Sequence, residues 1–107
     1  MRKEWFLSMN TKKEILDFLK QNQKLLLETY HITRIGLFGS FAREEQKDSS
    51  DVDLLIDIEE GTKNIHDLKL SLKKYLTNAF GRNVDLAREK YLKPYAKKHI
   101  LKDTLYV

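Results

Sequence analysis

A chain of 107 residues, 34% charged and 41% hydrophobic, has the composition of one globular domain rather than of a disordered tail or a multidomain assembly. It has no cysteine, which excludes a disulfide scaffold, a thiolate zinc site and a thiol nucleophile, and it has no apolar run near the roughly 18 residues of a membrane span. The net charge of +4 invites a nucleic-acid reading, but residues 43–60 hold eight acids against two bases, so a segment at −6 stands in a remainder at +10.

Residues 1–11 read as an N-terminal extension, either from an early start or as an arm that uses Trp5 and Phe6. No signal peptide is recognised there, so the expected location is cytoplasmic. A single domain is expected over residues 12–107. Thr11 to Glu14 fits a capping box. Ile15, Phe18, Leu19, Asn22, Leu26 and Tyr30 recur at three- and four-residue intervals, which predicts one amphipathic helix over residues 12–30. Residues 32–38 are β-rich and end at Gly39, as a strand would. Residues 40–46 read as a short helix, and residues 47–50 have turn chemistry. Residues 51–58 predict a mostly buried strand. After a turn at 59–62, Ile65, Leu68, Leu72, Tyr75, Leu76 and Ala79 mark a second long helix, with Gly81 as its stop. Residues 83–87 predict a third strand and Pro94 opens a last helix. Residues 105–107 form either an edge strand or a cap on the core. The order α-β-α-β-α-β-α predicts an α/β (α+β) fold, a small sheet covered by helices.

Three features carry chemistry. Gly39-Ser40 stands where a strand gives way to a helix, a place where backbone amides favour phosphate but where a plain turn is common. Asp51 and Asp53 are two apart, so on a strand both carboxylates project to one face. Such a pair repels unless a cation lies between its members or both are simply wetted, and Mg2+ suits hard oxygen ligands. Asp85 lies inside the short third strand. If that strand neighbours the second, three acids converge, an arrangement suited to in-line attack at phosphorus.

Gly39-Ser40-Phe41-Ala42-Arg43 followed by Ser50-Asp51-Val52-Asp53-Leu54, with Asp85 on a later strand, resembles the DNA polymerase β-type nucleotidyltransferase superfamily. The closer resemblance is to its minimal nucleotidyltransferases, and it covers residues 12–107. One position departs from the pattern: glycine commonly follows the arginine, and here Glu44 stands there. The resemblance implies the nucleotidyltransferase fold with a mixed sheet. It implies that Gly39 and Ser40 hold the phosphates of a nucleoside triphosphate, with Arg43 neutralising their charge, and it groups Ser50 with these nucleotide-binding positions although turn chemistry also accounts for it. It implies that Asp51, Asp53 and Asp85 bind Mg2+, as two ions, and that Asp85 helps deprotonate the acceptor hydroxyl.

Larger relatives carry further domains that bind the acceptor. In 107 residues there is no room for one, so the acceptor is expected on another chain. The resemblance then implies an antitoxin that moves AMP from ATP to a hydroxyl, a tyrosine, of an HEPN-domain toxin, within a hetero-oligomer. Two other readings stand beside it. One is a non-catalytic module that neutralises its partner by stoichiometric contact. The other is a transferase or binder acting on RNA through the basic stretch 86–107, although no direct nucleic-acid or membrane binding is expected. Tyr91, Tyr95 and Tyr106 in that stretch read as core or interface residues. The Lys73-Lys74 pair reads as a solvated helix face.

Overall fold

In the computed structural model, which describes residues 8–107, Thr11 and Glu14 cap each other reciprocally and open α1 (Lys12–Gln21). Trp5 and Phe6 lie outside the described residues. The helix predicted through Tyr30 breaks at Asn22. There the backbone N–H and the side-chain Nδ2 both donate to the Phe18 carbonyl, at 3.1 and 2.8 Å, so the side chain competes for the ladder and ends it. The chain restarts as α2 (Gln23–Tyr30).

The strand β1 (Ile32–Phe38) runs into α3 (Gly39–Ala42), a single turn rather than a helix to Gln46. Glu44 is the reason, because its φ of 58° is left-handed and cannot continue a right-handed helix. Then come β2 (Val52–Ile58), α4 (Ile65–Phe80) and β3 (Val84–Arg88). Gly81 stops α4 in the left-handed conformation expected of such a cap. A 3-10 turn at Glu89–Tyr91 leads to α5 (Pro94–Asp103), with proline in its first turn, and to the edge strand β4 (Leu105–Tyr106).

The four strands form one mixed sheet in the order β3-β2-β1-β4. Strands β1 and β2 pair antiparallel, with Phe38 opposite Asp53 and Gly36 opposite Leu55. β4 pairs antiparallel with β1. β3 pairs parallel with β2, which requires a long crossover, and α4 supplies it. The architecture is α+β, as the element order predicts.

Strand periodicity sorts the two faces. Val52, Leu54 and Ile56 are fully buried with Ile35, Leu37 and Val84 against Ile15 and Leu19 of α1, Leu26 of α2, and Leu72, Leu76 and Phe80 of α4. Burial of each such side chain stabilises the fold by about 1.5–3 kcal/mol before entropy is counted. The alternate residues of β2, Asp53, Leu55 and Asp57, point to the second face. That face is covered only in part, by the 3-10 turn against β2 and by α5 against β1. Tyr106 is fixed there by the Arg34 guanidinium 3.7 Å above its ring and by donating its hydroxyl to Glu89 at 2.8 Å. Tyr91 and Tyr95, by contrast, are 68% and 74% exposed, so neither belongs to the core. Among the described residues no helix is long and apolar enough to cross a membrane.

Candidate active site

The second sheet face presents its carboxylates at one end. The parallel register sets Asp53 of β2 beside Asp85 of β3. Asp51 precedes β2 by one residue and is exposed, yet its charge still acts on Asp53. Burial pushes Asp53 up to about 6, with Asp85 and Asp51 adding repulsion, while the Arg43 guanidinium pulls the other way. The structure therefore brings Asp51, Asp53, Asp85 and Arg43 into one electrostatic neighbourhood.

Gly39 adjoins the same carboxylates. Its φ is +76°, and a Cβ at this position would collide with the Asp53 carboxylate. Both facts demand glycine, and the second sets the first backbone turn of α3 against Asp53. Ser40 follows in that turn, whose leading amides have no partner within the helix. Arg43 ends α3; its Nε donates to Glu45 at 2.9 Å and its Nη1 lies 3.6 Å from Asp103 of α5. Ser50 is occupied differently. Its hydroxyl accepts from the Lys47 amide at 2.8 Å and its own amide donates to the Lys47 carbonyl at 2.9 Å, so it closes the turn before Asp51.

Glu44 stands at left-handed φ, the conformation that glycine adopts without strain. The departure noted in the sequence thus falls at a position whose backbone geometry favours the glycine it lacks.

One residue of the site's scaffold was not found by sequence reasoning. Arg82, just after the α4 stop, donates from Nη1 to the carbonyls of Asp48 (2.8 Å) and Ser50 (3.1 Å). From Nε it donates to the Met9 carbonyl at 2.7 Å, and from Nη2 to Asn10 Oδ1 at 2.7 Å. It staples the turn that delivers Asp51 to the segment that precedes α1. Its partners are mostly backbone carbonyls, which carry no side-chain signature.

The carboxylates do not form a ready-made metal cage: among the described residues no group of three His, Cys, Asp or Glu is arranged to hold an ion. The donor set nevertheless fits Mg2+, which uses one or two carboxylates and completes its shell with water and substrate phosphates. A carboxyl pushed up by burial and by two neighbouring acids is one whose charge a hard cation would stabilise.

Comparison with known proteins agrees with this geometry. Residues 12–107 match the family model described as "Nucleotidyltransferase domain". A candidate protein adenylyltransferase of Methanocaldococcus jannaschii is 44% identical over 101 residues, covering 92% of this chain and 100% of that protein. The protein adenylyltransferase MntA of Thermococcus cleftensis is 37% identical, covering 94% and 100%. A solved candidate minimal nucleotidyltransferase superposes with a TM-score of 0.76 at 27% identity, over 92% of this chain and 98% of that one. The chain of a toxin–antitoxin structure with AMP-PNP shares the fold, with a TM-score of 0.62 at 21% identity, over 91% and 72%. A glycine turn set against paired aspartates on adjacent strands, in a chain matched along residues 12–107, makes this protein a member of the nucleotidyltransferase domain family, in its minimal form, and an enzyme of that class.

Proposed function

We propose that this chain transfers AMP from ATP to a hydroxyl of a partner protein, a tyrosine of an HEPN-domain toxin, and so acts as the antitoxin. The observation that carries this reading is Asp53, in register with Asp85 and lying against the Gly39 turn. The relatives named protein adenylyltransferase and the toxin–antitoxin fold neighbour with AMP-PNP support the nucleotide and the partner class.

The residues divide the work as follows. The amides of Gly39 and Ser40 bind the β- and γ-phosphates, and Arg43 offsets their charge. The acceptor oxygen attacks the α-phosphorus; a new P–O bond forms, the α–β bridging P–O bond breaks, and pyrophosphate leaves. Asp85 receives the proton of the acceptor hydroxyl. Mg2+ held by Asp51, Asp53 and Asp85 would supply charge neutralisation at the triphosphate. Most of the rate comes from positioning and preorganised charge.

The test is to incubate the protein with ATP, Mg2+ and the toxin encoded beside it, and to weigh the intact toxin. One or more AMP additions are expected, abolished by Asp51→Asn with Asp53→Asn in a variant that still folds. A toxin that gains no mass but is still silenced would favour stoichiometric contact instead.

A further inference from the structure

Of the three acids, Asp51 alone is held by no ladder. The β1–β2 pairing ends at Phe38 with Asp53, and the β2–β3 pairing begins at Val52 with Val84. Asp51 stands outside both and is exposed. A carboxylate in that situation keeps freedom that a cation must remove, unless neighbouring groups fix it beforehand.

Both chain neighbours of Asp51 are held by one dipeptide, Arg82-Asn83. On one side Arg82 Nη1 donates to the Ser50 carbonyl at 3.1 Å. On the other the Val52 amide donates to the Asn83 carbonyl at 2.9 Å. These two groups belong to the two peptide planes that flank Asp51, so its φ and ψ lie between pinned units. Asn83 also leads into β3, which carries Asp85 two residues later. The dipeptide that pins Asp51 therefore spaces it from Asp85 as well.

The guanidinium is itself oriented from other sides. Its Nε and Nη2 donate to the Met9 carbonyl and to Asn10 Oδ1, each at 2.7 Å. Its carbon lies 5.1 Å from the centre of the Phe41 ring, close enough for the ring face to attract the cation. Phe41 is fully buried and belongs to α3, the turn that opens at Gly39 and Ser40. One side chain thus touches both halves of the sequence motif, the Gly39 turn and the turn before Asp51.

We propose that Arg82 is a positioning residue: it presets the Asp51 carboxylate relative to Asp85 and the Gly39 turn, so that a divalent cation meets a ligand already in place. It acts through the Ser50 carbonyl. Met9 and Asn10 belong to the same support, as acceptors that orient the guanidinium. The inference rests on the reading of Asp51 as a Mg2+ ligand, and two readouts separate the two.

The variants are Arg82→Lys, which keeps the charge but cannot span the fork, and Ile15→Val, which loses core stability without touching the turn. The first readout is NMR relaxation of the metal-free protein. In Arg82→Lys the order parameter of the Asp51 amide is expected to fall from about 0.85 toward about 0.6, with Asp53 unchanged and no fall in Ile15→Val. The second is Mn2+ affinity, followed by the electron paramagnetic resonance of the ion. Arg82→Lys should weaken it by about tenfold, the scale on which outer partners act on a metal site. In an Asp51→Asn background the same substitution should cost less than about twofold, because the ligand it positions is gone. Asn10→Ala should move both readouts in the direction of Arg82→Lys, by less. If the wild type binds no Mn2+, the metal reading fails and the order parameter still decides the positioning. An Asp51 amide as ordered in Arg82→Lys as in the wild type would overturn the proposal. So would a loss of Mn2+ affinity of equal size in Ile15→Val or in the Asp51→Asn background.

Discussion

Asp53 and Asp85 stand side by side in register across the parallel strands β2 and β3, two like charges on neighbouring strands. Burial, with repulsion from Asp85 and Asp51, raises Asp53 from 3.8 to about 6. Between those values the folded protein binds more protons than the unfolded chain, so stability falls as pH rises through this window and the whole penalty is present above it. The nominal cost of about 3 kcal/mol shrinks to about 1 kcal/mol for a half-open site. In metal-free buffer, Asp53→Asn should remove the decline between pH 4 and 6. It should also exceed the wild type in stability at pH 8 by about 1 kcal/mol, while losing activity. Urea melts across this pH range test it, and parallel curves for the two proteins would refute it.

Gly39→Ala should be harmful twice over. A left-handed backbone disfavours alanine by about 1–2 kcal/mol, and the new methyl group collides with the Asp53 carboxylate. Melting should report the first effect. Transfer should fall by about 100-fold, the scale of a misplaced reacting group.

Glu44→Gly should act in the opposite direction. It relieves the left-handed φ of 58° and gives up only an exposed ion pair with Lys12 at 3.1 Å. A gain of about 0.5–1 kcal/mol is expected in chemical denaturation, with activity retained.

Arg82→Ala should cost about 2–3 kcal/mol, because several carbonyls lose a charged donor at once. Arg82→Lys should recover less than half of that, since one ammonium cannot span the fork. Hydrogen exchange separates a local effect from a global one: the Ser50 amide should exchange faster in both variants, at conditions where β2 remains protected.

The elements with a strong period or an explicit stop were legible in the sequence. Thr11 with Glu14, Pro94 and Gly81 mark boundaries that the structure keeps, and Asp53 stands beside Asp85 on a neighbouring strand, while Asp51, expected on the same strand, lies one residue before it. What was missed depends on backbone partners or on local conformation. Asn22 looked like a polar lapse in one long helix, but its side chain takes a carbonyl and splits the helix. Glu44 shortened α3 by adopting a conformation that no propensity assigns to glutamate. Arg82 reads as one basic residue among 20, because its partners are carbonyls of residues far away in the chain. Tyr91 and Tyr95, read as core or interface residues, are exposed, so the core half of that reading fails, since aromatic content alone does not say which side of an element faces out.

The parallel pairing of β2 with β3 has a consequence for the order in which the protein comes into being. The β1–β2 hairpin closes locally, but Asp85 reaches Asp53 only after the whole of α4 has crossed the sheet and docked its leucines. A chain interrupted before β3, whether on the ribosome or after proteolysis, holds the Gly39 turn, Asp51 and Asp53 yet lacks Asp85. On the proposed function, competence for transfer would then require α4 and β3 to be in place.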